Sequence, residues 1–298
     1  MSPSPELVAV DLGKSRCRVA IGDRLDLREG HGSPGLAEPG GVTAAHQAIS
    51  SLLKDVDPPM NAVGVGAAGA WTAPDAASEL ARRLADAIGT PVAVASDVVT
   101  AHAGAFAGAE GVLLIAGTGA AALGIETEGA RLIDGWGPDV GDFGSGSWLG
   151  REALRAVLRA DAGLGPDTVL REAIADPVGA PADIVAWVAQ REPLPRHLAT
   201  LAPLVLDAAA SGDPAASDIA ARAVRLLTAT AVAASSRTME VALHGGLVAH
   251  DWFRGRLTSS LDAAGRRVAP SAGDALDGAF LIARRFDLPH ERFVHRAE

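Results

Sequence analysis

A glycine turn between two apolar runs first suggests what this chain binds. In the stretch "GVLLIAGTGAAALGI", Thr118 lies between Gly117 and Gly119. Glycine readily adopts positive φ, so successive backbone N–H groups of such a turn can converge on one anion, and the threonine hydroxyl adds a donor. The turn therefore suits phosphate oxygens, although an ordinary tight hairpin would use the same residues.

A turn of similar character occurs near the start of the chain, in "DLGKSRCRVAIG". There Gly13, Lys14 and Ser15 follow Asp11, which comes at the end of a predicted buried strand. A carboxylate in that position needs a partner, water or a metal ion to offset the cost of burial. We expect Asp11 to hold Mg²⁺ through water and Ser15 to offer a hydroxyl to phosphate. The two turns would then clamp a nucleoside triphosphate.

Asp97 is the third candidate, because it follows the apolar run "PVAVAS" and precedes a helical stretch. It therefore lies at the carboxyl end of a predicted strand, which is where ligands bind in α/β sheets. The alternative role is capping of the following helix, which aspartate does well.

The glycine-rich stretch "GWGPDVGDFGSG" is the fourth candidate. Its functional side chains are Trp136, Asp139 and Asp142. An indole ring packs on the C–H faces of a sugar, and carboxylates accept hydrogen bonds from sugar hydroxyls. The loop therefore suits a carbohydrate.

Strands alternating with helices predict α/β layers to position these residues. The strand–turn–strand pattern occurs twice, which predicts two similar lobes, 1–107 and 108–298, with a cleft between them. The closing stretch "GDALDGAFLIARRF" is predicted as a helix able to pack back on the first lobe, and "TAAHQAISSLLK" as a helix capped by Thr43.

The charge, cysteine content and motifs of the chain argue against several classes of protein. The net charge is −10 with no basic stripe, which argues against nucleic-acid binding. The single cysteine, Cys17, allows neither an internal disulfide nor a cysteine-based zinc site. No apolar run approaches the roughly 20 residues of a membrane span and no signal peptide is visible, so we expect a cytoplasmic protein without membrane contact. The chain has no P-loop motif and no dinucleotide fingerprint.

Taken together, these motifs resemble those of the N-acetylglucosamine kinase and BadF/BadG/BcrA/BcrD ATPase family, within the actin, sugar kinase and Hsp70 superfamily. "DLGKSRCRVAIG" and "IAGTGAAALG" resemble the two phosphate motifs of the family, and "GWGPDVGDFGSGSWLGREAL" its sugar loop. "ALHGGLV" is similar to the adenosine motif, and "GDALDGAFLIA" to the closing helix. The resemblance covers nearly the whole chain.

The resemblance implies a two-lobed, actin-like (ribonuclease H-like) α/β fold and an ATP-dependent kinase. The phosphate acceptor would be the 6-hydroxyl of N-acetylglucosamine or glucosamine, with Asp97 as general base and Asp11 positioning Mg²⁺. The remaining implied contacts are Gly13, Lys14, Ser15, Thr118 and Gly119 for phosphate, Gly245 and Gly246 for adenosine, and Trp136, Gly137, Asp139 and Asp142 for the sugar.

The chain departs from the pattern of the family at three positions. Lys14 stands where the family has glycine, Gly35 where it has a sugar-binding asparagine, and Phe143 where it has glutamate. Asp139 is an additional acid, which could pair with the ammonium group of glucosamine or be a solvated loop charge.

Two other functions stay open at this point, and a third is discounted. A kinase of another hexose and a catalytically weak sugar sensor share the fold. An activator of 2-hydroxyacyl-CoA dehydratases would need several cysteines for its iron–sulfur cluster, so we discount it. Cys17 and His102 are expected to be structural, and the family resemblance implies a possible homodimer.

Overall fold

The computed structural model describes residues 6–22, 26–54, 56, 60–190 and 193–298. The chain packs as two compact units. The first contains the described residues up to Gly111, together with 125–129 and 270–298; the second contains 112–124 and 130–269. Each unit is built around one mixed β-sheet.

The strands and helices alternate along the chain as the sequence predicts. The strands are β1 (Glu6–Leu12), β2 (Arg16–Ile21), β3 (Asp26–His31), β4 (Met60–Ala67), β5 (Val92–Ser96), β6 (Gly111–Ala116), β7 (Ala120–Glu126), β8 (Gly129–Asp134), β9 (Glu240–His244), β10 (Arg267–Ala269) and β11 (His295–Ala297). The helices are α1 (Gly41–Leu53), α2 (Pro74–Ile88), α3 (Asp97–Ala105), α4 (Gly146–Asp161), α5 (Leu170–Ala173), α6 (Ala175–Val178), α7 (Ile184–Ala189), α8 (Leu194–Ala199), α9 (Ala202–Ala210), α10 (Pro214–Ala234), α11 (Asp251–Ala263) and α12 (Ala275–Arg284).

The two sheets share one order of strands. The first sheet has the order β11-β5-β4-β1-β2-β3, and the second has β10-β9-β6-β7-β8. In the first sheet, β1, β2 and β3 follow one another, and the parallel strands β4 and β5 lie on the other side of β1. In the second sheet, β6, β7 and β8 follow one another, and the parallel strands β9 and β10 lie on the other side of β6. Only β11, antiparallel to β5, has no counterpart among the described strands.

Helices cover both faces of the first sheet. Val8 and Val10 of β1 lie in one buried cluster with Ile49 of α1 and Leu84 of α2, whereas Ala9 packs against α12 on the other face. Side chains alternate across a strand, so Asp11 lies on the same face as Ala9. The closing helix therefore covers the face of the sheet that carries the candidate Mg²⁺ ligand.

The predicted cap of α1 is wrong. The helix begins at Gly41, preceded by Gly40 at φ 76°, and Thr43 lies inside its first turn. Gly40, at positive φ, reverses the chain before the helix. The turn is closed by a hydrogen bond from Gly41 N–H to Glu38 O. The Thr43 hydroxyl instead accepts from Nη1 of Arg83 at 3.2 Å.

A buried histidine pair joins α3 to the C-terminal segment of the first unit. Nδ1 of His102 lies 2.9 Å from Nε2 of His290, and Nε2 of His102 lies 2.9 Å from the carbonyl oxygen of Gly111. Burial lowers the pKa of His102 to about 4; burial, with His102 beside it, lowers the pKa of His290 to about 3. His102 is therefore structural, as predicted.

This pair predicts a loss of stability in mild acid. The unfolded chain binds protons on both histidines as the pH falls through about 6.5, whereas the folded chain does not until about pH 4. The contribution of the neutral pair to the free energy of unfolding is therefore fully present above pH 6.5 and is lost as the pH falls below it. The slope of the free energy of unfolding approaches about 1.4 kcal/mol per pH unit for each histidine. Urea unfolding between pH 7.5 and 5 measures this slope. His31→Gln, at an exposed position, should leave the slope unchanged; a wild-type protein equally stable at pH 7 and pH 5 would contradict the prediction.

Cys17 is buried on β2, as expected for a small apolar side chain. Burial, with the negative charge of Asp11, raises the pKa of its thiol to about 12. A buried thiol held protonated in this way agrees with the structural role expected for Cys17. None of the helices in the described part of the chain is both long and apolar enough to cross a bilayer.

Candidate functional site

Asp11 is held in place by an arginine on the neighbouring strand. It pairs across the hairpin with Arg18, whose Nη2 and Nε donate to Oδ2 of Asp11 at 2.7 and 3.1 Å. Oδ1 of Asp11 has no hydrogen-bond partner among the described residues. The carboxylate therefore has the partner that its position requires, and one oxygen stays available to a ligand.

The first turn is tight and largely exposed. Gly13 N–H donates to Arg16 O at 2.9 Å, and the side chains of Lys14 and Ser15 are exposed. Nζ of Lys14 lies 2.8 Å from Oε1 of Glu38, and this contact holds the pKa of Glu38 below its usual range. Lys14 is thus engaged by a carboxylate of the same unit.

Asp97 is the first residue of α3 and follows buried Ser96 at the carboxyl end of β5. Its Oδ1 accepts from the Ser96 hydroxyl and from Val98 N–H, both at 2.9 Å. Its Oδ2 has no hydrogen-bond partner in the part of the chain that is described. Burial raises the pKa of Asp97, and the negative charge of Asp11 raises it further. One oxygen fixes the side chain, and the other can accept a proton.

The second turn lies against the glycine pair of the predicted adenosine motif. Gly245 has φ 110°, and a Cβ there would come within 2.5 Å of Ala116 O; Gly246 begins a short 3₁₀ turn, Gly246–Ala249. Only glycine allows this approach of β9 to the turn at 117–119, where the side chain of Thr118 is exposed. The four predicted nucleotide-binding residues of the second unit, Thr118, Gly119, Gly245 and Gly246, thus lie in neighbouring segments of that unit.

The expected reason for the turn glycines is wrong. Gly13, Gly117 and Gly119 are absent from the described residues with positive φ. Space explains Gly119 instead, because a Cβ there would lie 2.9 Å from Oδ1 of Asp142. The glycine allows the glycine-rich loop to approach the turn at 117–119 closely.

Asp134 organises the glycine-rich loop. Its Oδ1 and Oδ2 accept from the N–H groups of Asp142 and Phe143 at 2.7 and 2.8 Å, and the residue is only 3% exposed. Asp142 in turn accepts from Ala120 N–H at 3.2 Å. Burial raises the pKa of Asp142, and the nearby charge of Asp134 adds to this. The loop is therefore ordered by its own carboxylates.

The loop presents an apolar edge to solvent. Trp136 and Val140 are 62% and 69% exposed, and Asp139 is also exposed. Gly137 has φ 90°, and its carbonyl accepts from Gly141 N–H at 2.8 Å. An exposed indole on an ordered loop is costly without a ligand, and it suits the apolar face of a sugar.

The structure brings the predicted residues together in two groups, one within each unit. Asp11, Asp97 and the first turn belong to the first unit, while the second turn, the glycine pair and the glycine-rich loop belong to the second. Sequence reasoning missed Arg18 and Asp134. The hairpin register opposite Asp11 could have indicated Arg18, and the position of Asp134 between a strand and the glycine-rich loop could have indicated an anchor.

The donor set suits a metal ion delivered with a nucleotide. No group of three or more potential metal-ligating side chains occurs among the described residues. The available Oδ1 of Asp11 fits a single protein contact to Mg²⁺ or to its water, with phosphates as the remaining ligands.

The chain is similar to known amino-sugar kinases. N-acetyl-D-glucosamine kinase of Dictyostelium discoideum is 36% identical over 107 residues, which are 35% of this chain and 34% of that protein. The glucosamine kinase of Vibrio cholerae is 27% identical over 192 residues, 63% of this chain and 62% of that protein. These matches span about one third and three fifths of the two curated relatives.

The fold and the family follow from two further matches. The crystal structure of a candidate N-acetylglucosamine kinase from Chromobacterium violaceum has a TM-score of 0.75 and 29% identity, covering 93% of this chain and 98% of that one. This confirms the predicted actin-like α/β fold. The profile of the BadF/BadG/BcrA/BcrD ATPase family matches residues 35–283. The chain is a member of the BadF/BadG/BcrA/BcrD ATPase family.

Proposed function

We propose that this protein is an ATP-dependent amino-sugar kinase that transfers the γ-phosphate to the 6-hydroxyl of N-acetylglucosamine or glucosamine. The observation that carries the proposal is Asp97, with Oδ1 held by Ser96 and Val98 and Oδ2 available. The names of the curated relatives support a kinase that acts on an amino sugar. They differ in the acetyl group, so both sugars are included.

Asp97 would act as the general base. Its Oδ2 would accept the proton of the sugar hydroxyl as the hydroxyl oxygen attacks the γ-phosphorus. A raised pKa makes the carboxylate a stronger base, and the hydrogen bonds to Oδ1 keep the side chain from turning. Binding both substrates in a closed site would exclude water, the competing acceptor.

The two turns would hold the nucleotide. Oδ1 of Asp11 would orient Mg²⁺, which neutralises charge on the phosphates when bound. Backbone and side-chain donors near the phosphates would be supplied by Gly13, Lys14, Ser15, Thr118 and Gly119. Gly245 and Gly246, with no side chains, would leave room for the adenosine.

The loop organised by Asp134 would bind the sugar. Trp136 would pack on a C–H face of the ring, and Gly137 would allow close approach of the backbone. Asp142 would accept from ring hydroxyls. Asp139, exposed on the same loop, would face the substituent at carbon 2.

A coupled assay of ADP release tests the proposal. N-acetylglucosamine, glucosamine, glucose and N-acetylmannosamine are compared with a sample without sugar. We expect turnover with one or both amino sugars, and phosphorus–proton correlation NMR should show the phosphate on the 6-position. Higher kcat/KM for glucose would favour a different hexose kinase, and phosphate on another hydroxyl would overturn the regiochemistry.

A sugar sensor is the second candidate, favoured by one observation. The ammonium group of Lys14, in the first phosphate turn, is occupied by Glu38. If this contact holds the turn away from ATP, the chain would bind sugar without rapid turnover. Calorimetric sugar binding with no ADP release would support this candidate, and Lys14→Gly would then be expected to restore ATP binding.

Asp139→Asn should change sugar preference. Loss of the carboxylate removes an ionic contact to the ammonium of glucosamine, so kcat/KM for glucosamine should fall about 2- to 5-fold, the size of an exposed charge–charge interaction. The value for N-acetylglucosamine should stay unchanged, because its amide is neutral. Equal effects on both sugars would show that Asp139 does not read the amine.

A further inference from the structure

Arg18 contacts two carboxylates that come from distant parts of the sequence. Nη2 and Nε donate to Oδ2 of Asp11, and Nη1 lies 3.4 Å from Oδ2 of Asp274. The three side chains are only 19%, 21% and 32% exposed. Ion pairs this far removed from water are screened less than surface pairs and hold their geometry better.

Asp274 is itself the N-cap of α12. Its Oδ1 accepts from the N–H groups of Leu276 and Asp277 at 3.0 and 3.3 Å, and Oδ2 of Asp277 accepts in turn from Asp274 N–H at 2.8 Å. The two oxygens of Asp274 thus have separate partners, since Oδ1 caps the helix and Oδ2 meets Arg18. Arg18 therefore ties the start of α12 to strand β2.

α12 in turn lies directly on α3, backbone against backbone. A Cβ on Gly278 would come within 1.8 Å of Thr100 O, and a Cβ on Gly104 within 1.8 Å of Asp274 O. Side chains larger than hydrogen do not fit at these positions, so the two helices cannot move independently without losing close contact. α3 begins with Asp97.

We propose that Arg18 is a positioning residue that fixes Asp11 directly and, through Asp274 and the α12–α3 contact, fixes Asp97 relative to Asp11. The inference rests on the proposed function, in which Asp11 orients Mg²⁺ and Asp97 is the base. A guanidinium can serve both carboxylates because its donors lie in one rigid plane; the ammonium of lysine is a single point of charge.

Three variants separate the contact of Arg18 with Asp11 from its contact with Asp274. Arg18→Met removes both contacts, and Arg18→Lys keeps a positive charge that can meet one carboxylate. Asp274→Asn removes the charge that meets Arg18 but keeps an oxygen to cap α12. Calorimetry measures the binding of a non-hydrolysable ATP analogue with Mg²⁺ and with EDTA, and steady-state assays measure kcat and KM. In the wild type, Mg²⁺ should tighten analogue binding. In Arg18→Met, the ratio of the Kd for the analogue with EDTA to the Kd with Mg²⁺ should be at least tenfold smaller than in the wild type. Its kcat should fall as well.

The two other variants should behave differently. Asp274→Asn should keep the Mg²⁺-dependent tightening and the KM for ATP, but lower kcat about tenfold through the position of Asp97. Arg18→Lys should recover most of the tightening while keeping the low kcat of Asp274→Asn. Loss of stability alone would not produce this division between nucleotide binding and kcat.

Arg28→Met is the matched control. Arg28 lies on β3 of the same sheet and pairs with Asp26 at 3.0 Å, without contact to Asp11 or Asp274. It should leave both readouts unchanged. Wild-type tightening and kcat in Arg18→Met would overturn the inference. If the wild type shows neither Mg²⁺-dependent tightening nor turnover, the proposed function fails, and the inference fails with it. If Arg18→Met does not fold, the kcat and Mg²⁺-dependent tightening of Asp274→Asn and Arg18→Lys still decide between the outcomes.

Discussion

Replacing Asp97 by asparagine is expected to lower kcat by about 10²- to 10⁴-fold, the range for loss of a general base. Asparagine keeps an oxygen for the Ser96 hydroxyl and Val98 N–H, so the position of the side chain is preserved and only the proton acceptor is lost. Sugar binding, measured by calorimetry, should therefore survive. Steady-state assays with the best sugar of the panel give kcat.

The pH profile supplies a second measure of the same residue. Asp97 must be ionised to accept a proton, and burial raises its pKa. The apparent pKa of the acidic limb in the pH profile of kcat/KM should therefore lie above the ordinary aspartate pKa of 3.8. This limb should disappear in Asp97→Asn. Asp86→Asn, at an exposed position on α2, is the control and should keep wild-type kinetics. Near-normal turnover of Asp97→Asn would rule out Asp97 as the base.

Asp134→Asn should raise the KM for sugar by about 10- to 100-fold, with a smaller effect on kcat. The carboxylate accepts from two adjacent backbone N–H groups. Asparagine can accept only one of them and turns an N–H group toward the other, a loss of about 1–3 kcal/mol. Because asparagine tolerates the positive φ of this residue, the backbone itself is not strained. The cost falls on the loop that carries Trp136 and Asp142.

Asp213→Asn is the matched control for this prediction. Asp213 is another buried aspartate of the second unit, and it accepts from Val169 N–H, Ala216 N–H and the Thr168 hydroxyl. The substitution should cost similar stability in thermal unfolding without changing the KM for sugar. If both variants raise KM equally, the effect is general destabilisation, and the loop is not the sugar site.

The fold was accessible from sequence because its signals are local. Apolar runs ending at glycine turns predict the hairpins, and their repetition predicts two related sheets. The start of α1 was misjudged because Gly40, at positive φ, starts the helix before the better capping residue Thr43. Such a choice depends on the preceding turn, where Gly41 N–H donates to Glu38 O, and not on cap preference alone.

The site was accessible in part. Asp11, Asp97 and the loop carboxylates could be selected because acids at strand ends and among glycines need a reason. Arg18 and Asp134 were missed because their roles depend on a cross-strand register and on the path of a loop, which have to be considered beyond the residue types themselves. A Cβ at position 119 would meet the carboxylate of Asp142, a contact between segments that local turn chemistry does not indicate.

The return of residues 270–298 to the first unit affects the order in which the protein can fold during synthesis. Every residue of the second unit is synthesised before α12 and β11, although the first unit begins earlier in the chain. Until then, the face of the first sheet that carries Ala9 and Ala20 lacks its helix. The half that is translated first must therefore be completed last, and its nascent form leaves an apolar surface for chaperones to shield.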